Sequence, residues 1–188
     1  MAKISIECSS AYLAPMPVVL VGAVVAGKAN FLAVAWASRV NFKPAMFAVA
    51  LGHHFTNQGI DQHREFSICI PGISLLEKTD YCGLVSGSRT DKSQLFKVFY
   101  GKLANAPLIE ECPVCIALSL YQVVQLHLDT LYIGEPEEVF TEERYLTDNK
   151  LDIKKINPFT LTMPDNNYWS VGENLGRAWS IGKKLKKH

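Results

Sequence analysis

A mostly β domain, an antiparallel sheet closed or nearly closed into a barrel with only short helices between its strands, is what these 188 residues predict. Three observations carry that prediction. Met16 to Ala26, Phe31 to Trp36 and Ala45 to Leu51 are short continuous apolar runs bounded by turn or polar residues, the pattern of strands buried on both faces. Ile116, Leu118 and Leu120 alternate with Ala117, Ser119 and Tyr121, and Leu126 and Leu128 resume the alternation against Gln125, His127 and Asp129. Helical spacing, by contrast, recurs only over short stretches separated by turn residues.

The elements follow in order. The valine-rich run Pro17 to Ala26 and the run Phe31 to Trp36 read as two strands joined by a turn at Gly27-Lys28, and Ala45 to Leu51 as a third, beyond Pro44. Thr56 is placed to cap a short helix reaching Arg64, its hydroxyl accepting from first-turn amides. Phe66 to Ile70 returns to strand and stops at Pro71-Gly72. Ser74 with Glu77 forms a capping box for a helix to about Cys82, broken by Gly83 to Ser88, and another helix is expected near Lys92. The alternating segment after Pro113 gives antiparallel sheet with one buried face and puts His127 on its polar side. Pro136 is expected to end the next strand, at Gly134-Glu135. Val171, Leu175, Ala178 and Trp179 recur at helical spacing before the basic Lys183 to Lys187 tail, so a terminal helix is expected with cations at its negative pole.

Charged residues make up 20% of the chain and the formal net charge is +1, so no field of one sign draws it to nucleic acid or to an anionic membrane. The longest apolar run, Met16 to Ala26, is about half of what a bilayer-crossing helix needs. The first residues do not read as a signal peptide, and cytoplasmic residence is expected. Five cysteines lack the density of a secreted disulfide framework and are expected as reduced thiols.

Several motifs have a plain reading. Gly22 to Ala29 falls one residue short of a phosphate-binding P-loop, because Ala29 stands where a hydroxyl is needed and a strand-like run follows; it reads as a hairpin. Cys112-Pro113-Val114-Cys115 has the spacing of a redox pair or half a zinc site, but no second half-site and no thioredoxin-like unit accompany it, so structural cysteines are expected. No metal site is expected from the histidines, and His53-His54 in a strand would face opposite ways. Ser86 to Lys92 combines hydroxyls, a glycine and two cations ahead of an expected helix start. That suits a phosphate monoester, and equally a solvated turn before a capped helix.

Read together, Pro15 to Val21, Asn30 to Ser38, Asn41 to Pro44, His54 to Thr56, Ser88 to Lys92, Tyr132 to Glu135, Pro158-Phe159 and Tyr168 to Gly172, with Gly176 and Gly182-Lys183 beyond, resemble the flavin reductase-like FMN-binding split-barrel family, in its flavoredoxin-like branch. The resemblance spans nearly the whole chain and implies one domain, residues 1–188, folded as an antiparallel Greek-key split β-barrel that binds FMN. It implies that Asn30 and Trp36, with Ala37 and Ser38 in the same segment, meet the polar edge and ring region of the flavin. His54 and Thr56, and Ser88, Asp91 and Lys92, are implied to hold the ribityl chain and phosphate. His127 and Trp169 are implied to lie near the flavin, acting across the interface of a homodimer, with Tyr168 an equally good aromatic to Trp169. Ala117 departs from the pattern, since many relatives carry an acidic residue there.

The implied activity is that of an NAD(P)H-dependent flavin or ferric reductase-like oxidoreductase, with NADH or NADPH as donor and a small molecule or protein as acceptor. The alternative is an electron-transfer protein with permanently bound FMN and no nicotinamide site; a barrel that has lost its flavin is a third reading. No catalytic triad is expected, since the flavin itself does the chemistry.

Overall fold

The computed structural model describes residues 3–185. In chain order the strands and helices are β1 (Met16–Pro17), β2 (Val19–Val25), β3 (Lys28–Val34), β4 (Ala37–Asn41), β5 (Met46–Leu51), α1 (Phe55–His63), β6 (Glu65–Ile70), α2 (Leu76–Leu84), β7 (Val98–Phe99), β8 (Leu108–Ile109), β9 (Val114–Gln125), β10 (Thr130–Thr141), β11 (Leu146–Thr147), β12 (Lys150–Leu151), α3 (Ile153–Ile156), β13 (Phe159–Thr162) and β14 (Asn167–Ser170). Seven strands form the main antiparallel sheet, in the order β3-β2-β6-β9-β10-β5-β4. Its two edges, β3 and β4, are consecutive in the chain but not hydrogen-bonded to one another, which is the split in the barrel. One interior core collects Val21 and Ala23 of β2, Leu32 of β3, Val49 of β5, Phe66 of β6, Leu118 of β9 and Tyr132 of β10, so strands from both halves of the sheet curl around one centre.

A second core lies on the outer face of β2, β3, β6 and β9. There Leu20, Phe31, Cys69, Cys115 and Ala117 meet α2 and the segment 96–112 through Cys82, Phe96, Ala106, Leu108, Ile109 and Cys112. These four strands are therefore covered on both faces along much of their length, which is why β2 is apolar at every position. The expected hairpin is present: Val25 pairs with Lys28 across Ala26 and Gly27, whose φ values of 49° and 76° are those of a tight primed turn. Gly134 is required by packing, because a Cβ there would lie 2.7 Å from the Phe66 ring.

Several expectations are corrected. The helix-capping position of α1 is His54; Thr56 sits inside the first turn, and its hydroxyl serves Asn30 instead. Ser74 belongs to a short 3₁₀ turn and caps nothing with its side chain. The helix expected near Lys92 is a single 3₁₀ turn, Lys92–Leu95, capped by Asp91. Pro136 does not end its strand: β10 runs on to Thr141, because pairing with β5 stops at Gly134 and leaves the proline on an edge, next to a bulge. Leu126 and Leu128 are not on a buried face but in the β9–β10 turn, with Leu128 78% exposed, and His127 stands exposed between them rather than on a strand.

Nor does the terminal helix form. Residues 171–177 are irregular, a turn follows at 178–180 and a 3₁₀ turn covers Ile181–Leu185, because no core receives the apolar side chains that would stabilise so short a helix; Trp179 is 95% exposed. Lys186 and Lys187 of the basic tail lie outside the described residues. The strands β13 and β14, unanticipated, form a hairpin that pairs with β1. Among the described residues no helix is long and apolar enough to cross a membrane.

Candidate functional site

The site grows from three elements that the barrel brings to one edge. β3 carries Asn30, almost wholly buried, whose Nδ2 donates to Thr56 Oγ1 of α1 at 2.7 Å. α1 enters this contact because Gly59 lies against β2, where a Cβ would collide with the Val24 carbonyl. The third element is the turn that follows α2. Arg89 and Thr90 donate their amides to the Ser86 carbonyl at 3.1 and 3.0 Å, and the Ser86 and Ser88 hydroxyls are 2.8 Å apart. Gly87 packs so tightly that a Cβ would overlap the Asn30 amide and stand 2.9 Å from Phe55 Cδ1.

Lys92 closes this turn. Its side chain is buried, with the residue 2% exposed, and Nζ donates to the Cys82 carbonyl at 2.7 Å. Burial pulls its pKa below the ordinary lysine value. An ammonium has three protons to donate, and among the described residues its single acceptor is a neutral carbonyl. Beside it Asp91 accepts from the Ser93 amide and hydroxyl at 3.1 and 2.6 Å and pairs with Lys28 at 3.4 Å. The Ser93 hydroxyl holds the Asp91 carboxyl below its usual range. His54, at the cavity rim, is held below 6.5, first by partial burial and then by the positive charge of Lys92.

Three adjoining cavities share Phe55. One of about 250 Å³ is lined by Asn30, His54, Thr56, Ser86, Gly87 and Lys92 among others. A second, about 360 Å³, reaches Lys28, Ser88, Arg89, Thr90 and Asp91. The third, about 510 Å³, extends past His53 and His54 to Asn57, Asp61, Gln125, Thr130 and Tyr132. With Asp91 already engaged, the first two present an ammonium, a guanidinium and hydroxyls without a matching anion, an arrangement that stabilises a phosphate dianion. The turn's helix dipole plays no part, since a 3₁₀ turn of four residues replaces the expected helix.

Of the residues singled out from the sequence, Asn30, His54, Thr56, Ser88, Asp91 and Lys92 are thus brought together. Trp36, Ala37 and Ser38 are not in these cavities: Trp36 is 47% exposed at the β3–β4 corner, and the Ser38 hydroxyl donates to the Arg39 carbonyl. His127 is at the tip of the β9–β10 turn, next to strands whose Gln125 and Thr130 line the third cavity. Trp169 lies in β14, where its indole Nε1 donates to Thr162 at 2.8 Å. Its neighbour Tyr168 donates to Asp80 of α2 at 2.7 Å, and burial followed by this carboxylate pushes the phenol up to about 12.

Sequence reasoning missed the polar wall of the third cavity. There Gln125 Nε2 donates to Thr130 Oγ1 at 2.8 Å, and Tyr132 is pushed up to about 12 by burial and then by Asp61. The Asn57 amide oxygen, on the same wall, is buried with no hydrogen-bond partner among the described residues. These residues come from α1, β9 and β10, and no local spacing links them; the one available signal was Tyr132 in a stretch matched for other reasons.

Residues 11–157 match the flavin reductase like domain family. The solved structure of flavoredoxin from Methanosarcina acetivorans is 44% identical, covering 99% of this chain and 100% of that one with a TM-score of 0.96. Flavoredoxin of Desulfovibrio vulgaris (Miyazaki F) is 33% identical, covering 97% of this chain and 100% of that one with a TM-score of 0.88. A protein of Archaeoglobus fulgidus is 29% identical over 145 residues, 76% of this chain and 81% of its own.

Proposed function

We propose, because the chain belongs to the flavin reductase like domain family, that it binds FMN in the groove between β3, α1 and the Ser86–Lys92 turn and acts as a redox flavoprotein. The observation that carries this assignment is Lys92: a buried ammonium with one neutral acceptor, facing a hydroxyl-lined cavity, calls for an anion. When bound, FMN supplies a ring that takes up and releases electrons. The chain's own residues hold and orient it. Lys92, Ser86, Ser88, Arg89 and Thr90 receive the phosphate, and the Asn30–Thr56 pair fixes the wall beside the ribityl chain. Trp36 and Ser38, exposed at the β3–β4 corner, and Ala37 between them, half-buried against the interior core, are assigned to the ring. His127 and Trp169 are assigned to the flavin of the other subunit in a homodimer, an arrangement their exposure on the single chain supports.

The electron donor we assign is NADH or NADPH, with free flavin, ferric iron or a protein as acceptor; the third cavity, open beside His53 and His54, is the approach for a second reactant. The full-length likeness to two flavoredoxins favours a second reading, an electron carrier that never meets a nicotinamide. One experiment separates them. Protein loaded with FMN and freed of excess is titrated anaerobically with NADH and with NADPH while its visible absorbance is recorded. Bleaching of a bound flavin spectrum supports the reductase, a bound spectrum that survives both supports the carrier, and failure to retain FMN refutes both.

A further inference from the structure

Away from the flavin groove, on the outer face of the sheet, three cysteines meet in the second core. Cys69 of β6 and Cys115 of β9 are directly opposite one another in the antiparallel register, and Cys112 precedes β9 on the same side. The thiol of Cys115 donates to the Ile109 carbonyl at 3.1 Å, and the Cys112 carbonyl is 3.9 Å from the same sulfur. Among the described residues no three His, Cys, Asp or Glu side chains are disposed to hold a metal ion, so the cluster's chemistry is that of thiols. It is also not sealed. Cys112 and Cys115 line a cavity of about 410 Å³ that is walled by Phe99 and Phe140 and rimmed by Glu110, Glu111 and Glu142 together with Lys97 and Arg144. Cys69 does not reach that cavity and is fully buried.

We infer that this cluster is a dithiol redox site, separate from the flavin groove, that reduces low-molecular-weight disulfides entering the Cys112–Cys115 cavity and in doing so closes a Cys69–Cys115 disulfide. The geometry meets the requirement for that bond. Facing residues on antiparallel strands have Cα atoms about 4.5 or 5.5 Å apart, and a disulfide accepts roughly 4.4–6.8 Å. The reacting order follows from access and register: Cys115 is the member that both lines the cavity and stands opposite Cys69. Cys69 is held in the thiol form, chiefly by burial. The Cys115 thiolate attacks one sulfur of R–S–S–R and expels RS⁻, which takes up the proton Cys115 had released. Cys69 then attacks Cys115 Sγ, and its proton leaves with the second RS⁻. Two cysteine thiols are oxidised by two electrons, and the disulfide is reduced to two thiols.

Glu110 is the one rim carboxylate without an ion pair among the described residues, since Glu142 pairs with Arg144 and Glu111 with Lys78, and the small disulfide cystamine is the probe. The folded full-length C8S protein, lacking the exposed Cys8 thiol, is treated with cystamine, and its mass and cross-linked peptides are determined. The expected result is loss of two hydrogen atoms and a single cross-link between the peptides of Cys69 and Cys115. In C8S/C69A the reaction should stop at one cysteamine half joined to Cys115 in a mixed disulfide, the other half having left as the thiol. No reaction in the folded protein, attachment away from Cys115, or a Cys112–Cys115 cross-link overturns the assignment. The readout does not depend on flavin, so failure here and failure of the FMN assignment are distinguishable.

Discussion

Asn30 Nδ2 donates to Thr56 Oγ1 at 2.7 Å, a buried bond that ties an edge strand of the barrel to the first turn of α1 where the candidate flavin groove opens. Replacing Thr56 by Val keeps the shape and removes the acceptor, stranding a buried amide donor. The expected cost is about 1–3 kcal/mol of stability, read by chemical denaturation, with weaker FMN retention. An unchanged denaturation midpoint would show that the pair contributes nothing.

Lys92→Ala should weaken FMN far more than riboflavin, because the side chain is assigned to the phosphate. A charge-assisted hydrogen bond of about 1.5–3 kcal/mol corresponds to a loss of roughly 10- to 150-fold for FMN. Fluorescence titrations of wild type and variant with both ligands decide it; equal losses would place Lys92 elsewhere.

Gly87→Ala should abolish tight FMN binding while leaving the barrel folded, since the added methyl collides with the Asn30 amide and Phe55 in the cavity wall rather than with the core. Far-ultraviolet circular dichroism with a flavin titration separates the two effects. A variant that binds FMN as well as wild type would mean that the loop is free to move.

His54 should make the flavin-free protein acid-sensitive. Its folded pKa lies below 6.5, so as pH falls through that value the unfolded chain takes up a proton that the native protein resists, and stability declines. The decline disappears in His54→Asn. Bound FMN, whose phosphate offsets the positive charge of Lys92, should shrink it too, whereas riboflavin should not. Melting temperatures between about pH 5 and 7.5 test this.

How far the sequence could be read depends on the range of the interaction responsible. Hydropathy runs place β2, β3, β5 and β6 within a few residues, because burial on both faces leaves a local imprint on composition. Pro136 misled because a proline's tolerance depends on whether a partner strand lies opposite, and β5 stops pairing at Gly134. The spacing of Val171 to Trp179 likewise misled, because periodicity creates an amphipathic face but cannot supply the surface that covers it. In the site, Ser86 to Lys92 was visible as a cluster of donors. That Lys92 is buried and short of acceptors was not, since its surroundings come from α2 and β3.

The sequence by itself determined the class of the fold and most of its strands, since apolar runs, alternation and turn residues act within a few positions of one another. It also marked the segments that meet around the groove. Only the tertiary structure decided which strand faces which, and therefore that Cys69 stands opposite Cys115, that Asn57, Thr130 and Tyr132 share a wall, and that Thr56 bonds Asn30 rather than capping its helix. Apart from Thr130 and Tyr132, neighbours on β10, those contacts join residues 26 to 75 positions apart in the chain, and the free energy that selects them comes from the curled sheet and its two cores, not from any local stretch.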